Sequence, residues 1–435
     1  MNRKKIIFKN VSLGVFYKIL NMAIVFTTIP LLLNYLEKEQ YGVWVTIFSL
    51  VNIVFFVDAG IGNGLKTKLS EALSLQNFKL AQTYISTAYI SIFFISIVVL
   101  CVGIGGIFLV DLQQLFNTTI AENELKTVLL VTLFLVTTSF VLNLYKSFYY
   151  ANQQASKVEF AMLIYQVTVL ISTTILLHYF PRKLLFVALF YGSLNILVGL
   201  AFTFLFFLKN KKIQPSIAAF SREKVKDLMS LSLAFFGIQL CMIVIFATDN
   251  LIISKLLGPS HVTNYDVVYK LFQVAITISV IAQDPFWALY TDAYQKQDFT
   301  WIKKTIIRLN KLFVLFVFII VGLFFAAKPL IKIWIQRDLL ISTSLILFMA
   351  VFVTIRVYGI IYMTFLNSIG RVKLQLWLYI FGAIINVPLS IYFVKTVNLG
   401  NSGVILGTVF SILSLSLVLP IQTYNILKRK EAKAV

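Results

Sequence analysis

Charge is scarce in this chain, and acidic charge scarcest: 17 Asp and Glu in 435 residues, with all charged types together at 13%, about half the share of ordinary soluble domains. A water-soluble fold of this size would have nothing to cover its surface with. Cysteine is almost missing. Cys101 and Cys241 both sit inside apolar runs without CxxC spacing, which excludes a disulfide framework and leaves two small buried hydrophobes. The two histidines, His178 and His261, are isolated, so no metal cluster is expected. No nucleophile with a base in range, no triad and no long outward loop to hold catalytic groups stands out, so the chain does not read as an enzyme, and no cofactor is expected.

What is present is apolar. The apolar residues make up 59% of the chain, with forty Phe and twenty Tyr, side chains that pack against lipid tails and sit at headgroup depth. Runs of about 20 apolar residues, the length that crosses a bilayer as helix, fall near 12–34, 42–60, 85–110, 127–148, 158–180 and 184–208. A second set falls near 230–255, 264–286, 312–335, 340–365, 373–394 and 402–425. In hydrocarbon every backbone amide needs an internal partner, and these runs are too long and too continuous for barrel strands. The predicted fold class is therefore all-α, a polytopic membrane protein of about 12 transmembrane helices. The basic start, Met1 to Lys9, resembles a signal peptide, but its apolar run continues from Val11 to Leu33 with no small-residue cleavage site, and it reads as the first span.

The net charge of +21 could suggest nucleic acid, but the 38 basic residues lie in short clusters between apolar runs, a pattern that sets topology and implies no nucleic-acid partner. With the N-terminus inside, 26 Lys and Arg fall on the cytoplasmic side and nine on the other, which predicts both ends in the cytoplasm. The longest inward stretches are 209–229 and 288–311. In the second, Trp301, Ile302, Thr305, Ile306 and Leu309 recur opposite Lys303, Lys304 and Arg308, the pattern of an interfacial helix on an anionic leaflet.

Setting residue n against n+220 pairs Ser12-Leu13 with Ser232-Leu233, Phe16 with Phe236, Leu20 with Leu240, Met22 with Met242, Phe26 with Phe246, Thr28 with Thr248 and Leu31 with Leu251. A repeat unit of six spans would enter the membrane in the same direction twice, one of the architectures that support alternating access. The expected organisation is a six-helix lobe at 1–208, a basic cytoplasmic connector at 209–229 and a second six-helix lobe at 230–435.

Ionisable groups inside spans cost about 2.5–3.5 kcal/mol each on insertion scales and usually face a wet path or a partner. Arg356, mid-span, faces an aqueous path or a buried partner. Lys18 either snorkels to the inner interface or, with Asn21 one turn on, walls a polar stripe. Asp249, followed by Asn250, lies at the same depth as Lys270, and the two either form an ion pair or build a site for a coupling cation or proton. Asp58 and Asp284 fall near span ends. Asp58 runs into Ala59-Gly60-Ile61-Gly62-Asn63-Gly64, whose glycines permit close packing or an unwound turn and do not have phosphate-loop spacing.

The stretches Leu36-Glu37-Lys38-Glu39-Gln40-Tyr41-Gly42-Val43-Trp44, Asp58 to Leu65, Ala81 to Tyr89, Thr248 to Ile253 and Pro285-Phe286-Trp287-Ala288-Leu289-Tyr290 resemble those of bacterial polysaccharide transporters of the O-antigen flippase type. They belong to the multidrug/oligosaccharidyl-lipid/polysaccharide exporter superfamily. The resemblance covers essentially the whole chain. It implies two six-helix lobes around a central cavity in the bacterial inner membrane. It also implies movement of an undecaprenyl-pyrophosphate-linked oligosaccharide between leaflets, coupled to H+ or Na+, alongside other glycan-assembly membrane proteins. On that resemblance Lys18, Arg356, Lys270 and Asn21 would serve the substrate, and Asp249, Asn250 and Asp58 coupling or gating. The rival functions are an extruder of organic cations, a membrane glycan polymerase or acyltransferase, and an uncoupled scramblase.

Overall fold

The computed structural model describes residues 3–56, 61–229, 233–283 and 286–434. Asp58 and Asp284 lie outside the described residues. The chain divides into two compact units, Met1–Phe236 and Gly237–Val435.

The first unit holds α1 (Arg3–Val51), α2 (Ile61–Ser74), α3 (Phe78–Leu109), the short α4 (Leu112–Phe116), α5 (Glu122–Leu142), α6 (Leu144–Ala151), α7 (Ala155–Tyr179), α8 (Leu184–Lys209) and α9 (Arg222–Met229). After α10 (Leu233–Phe246), whose first turn precedes the boundary, come α11 (Thr248–Leu257), α12 (Pro259–Gln283), α13 (Phe286–Gln295) and α14 (Phe299–Ile335). The chain ends with α15 (Thr343–Ser368), α16 (Lys373–Lys395) and α17 (Asn401–Ala434). No strand occurs among the described residues. Among the described residues eleven elements are long and apolar enough to cross a membrane. The first of these is two helices joined at Glu37, where the backbone leaves helical geometry at φ 61°, ψ 178°. The strained turn is tied down from outside: Arg182 pairs with Glu37 at 2.6 Å, Thr118 donates to Glu39 at 2.8 Å, and Tyr35 donates to the carbonyl of Pro181.

The interfacial helix expected near 288–311 is not a separate element. Of its stripe, Ile302, Thr305, Ile306 and Leu309 are buried at the start of α14 and the part-buried Trp301 meets Tyr290 of α13, while Asn310 bonds Tyr362 of α15. At 1.5 Å per residue a 37-residue helix is about 55 Å long, well beyond the hydrocarbon core. The amphipathic stripe therefore meets protein instead of a leaflet surface, a difference that helical periodicity cannot reveal.

In the first unit α1 packs along α7, α5 along α8, and α2 between α3 and α6. The fully buried ring of Phe148 on α6 contacts Tyr89, Phe206 and Phe207. The basic segment after α8 does not hang free. Gln82 donates to the carbonyl of Gln214, the amides of Ser216 and Ser221 donate to Ser86 and Thr87 of α3, and Tyr84 donates to Asp227. α9 also lies directly on α2, because Gly64 leaves room: a Cβ there would stand 2.0 Å from the carbonyl oxygen of Leu228.

In the second unit α16 and α17 cross at backbone contact. A Cβ on Gly382 would meet the Ser411 carbonyl oxygen at 2.4 Å, and one on Gly407 would meet Ser390 at 2.5 Å. Small residues at such a crossing are the usual means by which helices approach closely in lipid.

Gly64→Ala should force α9 off α2 at a cost of about 1–3 kcal/mol. It should appear as faster proteolytic nicking within 222–229 in membranes; an unchanged rate would show that α9 is held otherwise. A hydrogen bond from Lys224 at 3.0 Å holds the Asp227 carboxyl below its usual range. Because the folded value is lowered, this hold is present above the ordinary carboxylate range and lost as pH falls through the lowered value. Nicking should therefore rise as pH falls through and below the ordinary carboxylate range, and a flat profile would contradict the latch.

Candidate functional site

Polar side chains gather at two places, one in each unit. In the first unit a cavity of about 500 Å³ opens among α1, α2, α3, α5, α6, α7 and α8. Trp44 comes from the second half of α1, and Asn143 stands where α5 turns into α6, with a helical φ/ψ that carries the chain on. The amides of Asn52, Asn143, Gln166 and Asn195 and the rings of Trp44, Tyr145, Tyr165 and Tyr191 share the lining. Tyr191 is fixed by a 2.7 Å hydrogen bond with Thr173 and an edge contact on Trp44. The hydroxyl of Ser139, buried on this wall, makes no hydrogen bond.

Two lysines complete the lining. The ammonium of Lys66 lies 4.8 Å over the ring of Tyr150, and that of Lys146 lies 6.0 Å from the ring of Tyr145. Neither makes an ion pair among the described residues, and no carboxylate is among the described lining residues. Aromatic faces hold these cations without neutralising them. The described lining therefore carries cationic side chains and no anionic one, in low-dielectric surroundings where a fixed charge acts strongly on an anion.

Of the residues predicted for the substrate, Lys18 and Asn21 belong to this unit but do not line the cavity. Lys18 lies 3.8 Å from Glu159 of α7, which is mostly buried. Lys18 therefore enters an ion pair between helices. The Oδ1 of Asn21 is buried without a hydrogen bond. Lys66 and Lys146 had counted in sequence only as topology signals, since Lys66 falls just beyond one apolar run and Lys146 at the inner end of another. Pairing α2 with α6 brings them together.

The second place is Asp249, 3% exposed. It does not pair with Lys270, which makes no ion pair among the described residues. Its carboxylate accepts from Tyr265 of α12 at 2.7 Å and from Thr408 of α17 at 3.1 Å. Asn386 of α16 donates to both Thr408 and Ser411 at 3.2 Å, while its own Oδ1 is buried without a donor. The close crossing at Gly382 and Gly407 is what places Asn386, one turn along from Gly382, against Thr408. The result is a buried carboxylate with no cation partner among the described residues, beside an amide oxygen that lacks a donor. Such a site suits a proton or a small hard cation with oxygen ligands, and no cluster of three or more His, Cys, Asp or Glu exists among the described residues for a softer metal. Asn250 follows Asp249 on α11. Arg356 is separate: its half-buried guanidinium lies 4.2 Å over the ring of Phe246, which continues through Phe352 to Tyr269 and Tyr265. Asn386 and Thr408 were missed in sequence because neither is ionisable. An amide in the apolar text of α16 was the available signal.

Comparison with known proteins agrees with this architecture. Residues 7–283 match the family described as Polysaccharide biosynthesis protein, and residues 235–392 match MatE. A provisionally named O-antigen transporter of Salmonella typhimurium is 26% identical over 91% of this chain and 90% of its own length. A similarly named O-antigen export protein of Yersinia pseudotuberculosis is 24% identical over 91% and 90%. Among solved structures, an inward-facing multidrug resistance MATE transporter of the MOP superfamily superposes with a TM-score of 0.77 over the full length of both chains at 14% identity. A MOP superfamily transporter from Pyrococcus furiosus superposes at 0.64 over 95% and 97% at 16% identity. The chain is a multi-pass membrane protein of the polysaccharide biosynthesis protein family, with the fold of the MOP-superfamily transporters.

Proposed function

We propose that this protein moves a lipid-linked oligosaccharide of the O-antigen type, carried on a polyprenyl pyrophosphate, from the cytoplasmic to the outer leaflet by alternating access. The observation that carries the reading is the cavity of the first unit: two lysines beside aromatic rings and amides, with no carboxylate among the described lining residues. Amides and hydroxyls match sugar hydroxyls, aromatic faces match the apolar faces of sugar rings, and ammonium groups match phosphate. A pyrophosphate with a hydrophilic glycan cannot cross hydrocarbon unaided. Its lipid tail can remain in the bilayer while the polar part occupies such a cavity.

An extruder of organic cations is the rival that the fold allows. The cavity argues against it, because a cation would meet Lys66 and Lys146 with no lining carboxylate to neutralise it. A polymerase or acyltransferase would need catalytic groups, and the named relatives are transporters and an export protein. For coupling, the Asp249 cluster is the favoured site. Binding of a proton or cation there would change the hydrogen bonds that join α11, α12 and α17, and so bias two arrangements of one lobe. Arg356 and Lys270, unpaired by carboxylates among the described residues, are assigned to attraction of the anionic cargo.

Lys66→Ala/Lys146→Ala should lower surface glycan display about tenfold or more, on the scale of lost hydrogen bonds to a charged group. The protein should remain in the membrane, and single lipid-linked units should accumulate on the inner leaflet. Wild-type display would remove the cavity from the substrate path, and accumulation on the outer leaflet would indicate a polymerase. Asp249→Asn keeps the shape of the side chain and should abolish the response of transport to an imposed H+ or Na+ gradient. A response equal to wild type would take coupling away from Asp249.

A further inference from the structure

A second lined groove, of about 420 Å³, lies entirely within the second unit between the end of α13, the start of α16 and the end of α17. This is the end of the unit that the Lys and Arg distribution assigns to the cytoplasm. Its polar part is Arg371, Arg429, Gln422, Asn425 and Tyr294. Its apolar part includes Leu374, Val418, Ile421 and Ile426, and Leu374 and Ile421 are open to the surroundings at 37% and 59% exposure. No carboxylate lines it, and neither arginine forms an ion pair among the described residues. The Oε1 of Gln422 is buried and has no hydrogen-bond donor. Exposed Trp377 on α16 and Tyr424 on α17 are the residue types that settle at headgroup depth.

Each feature asks for a part of one ligand. Two guanidinium groups without an ion pair among the described residues suit a phosphodiester or phosphomonoester. A buried acceptor without a donor suits a hydroxyl, which a bare phosphate diester lacks. An apolar wall running out to an exposed face suits acyl chains. We infer that this groove binds an anionic phospholipid of the inner leaflet through a hydroxyl-bearing phosphate headgroup, of which phosphatidylglycerol is the simplest example, with phosphate on Arg371 and Arg429 and a headgroup hydroxyl on Gln422. The groove shares no lining residue with the cavity or with the Asp249 cluster, and the lipid is read as a bound partner of the fold and not as the cargo. Basic pockets between helices at the cytoplasmic face are a recurring form of lipid recognition.

The test uses the purified full-length protein in a neutral detergent, with thermal unfolding followed as lipid is added. Phosphatidylglycerol should raise the melting temperature at lower concentrations than phosphatidylcholine or phosphatidic acid of the same chains. Arg371→Gln/Arg429→Gln should shift the phosphatidylglycerol midpoint about tenfold upward. Gln422→Leu should remove the preference for phosphatidylglycerol over phosphatidic acid. Lys303→Gln/Lys304→Gln, exposed basic residues outside the groove, should change neither. Equal midpoints for wild type and the double arginine variant would overturn the site. An equal shift from inorganic phosphate or glycerol 1-phosphate would overturn the lipid assignment.

Discussion

The cost of placing charge in hydrocarbon, a few kcal/mol for each ionisable group, is the constraint on which the rest of this protein depends. With 13% charged residues, the chain can cover its helices with Leu, Phe, Ile and Val and leave the backbone to satisfy itself as helix. The groups that remain inside are correspondingly informative. They are not scattered. Lys18 is paired with Glu159, Asp249 is enclosed by hydroxyls and an amide, and Lys66 and Lys146 stand at one cavity over aromatic rings. Each of these three arrangements lowers the cost in a different way, and of the three the last leaves positive charge available to something that arrives from outside.

Close helix crossing supplies the second element. At Gly382 and Gly407 two helices touch at the backbone, and this contact decides which side chains one turn away can meet. Asn386 reaches Thr408 and Ser411 because of it, and Thr408 in turn reaches Asp249. The polar cluster is thus a consequence of small-residue packing, and a bulky residue at either glycine would separate its parts before touching any of them. In the first unit Gly64 has a comparable role at the surface, where it admits α9 and so anchors the basic segment to α2 and α3.

Much of the fold was legible in sequence because hydrophobic run length is a direct physical requirement of the bilayer. The apolar helices lie where the runs are, and Asp249 announced itself as a carboxylate in apolar text. Three things were hidden. The partner of Lys18, Glu159, lies far along the chain on another helix, and nothing local links them. Lys66 and Lys146 look like ordinary inside-positive residues, and only the packing of α2 against α6 turns them into a pair. The amphipathic start of α14 has the same periodicity whether it faces lipid headgroups or protein, so its burial against α13 and α15 could not be read from spacing.

The central claim is that a positively charged, sugar-compatible cavity in this fold carries an anionic lipid-linked glycan. Its most direct test is transport by the purified protein in sealed vesicles, using a polyprenyl-pyrophosphate oligosaccharide with a fluorescent sugar and an impermeant quencher outside. Protein-dependent movement of the labelled headgroup between leaflets is expected, competed by the unlabelled lipid-linked glycan and not by organic cations. Movement of organic cations with the glycan left in its original leaflet would contradict it.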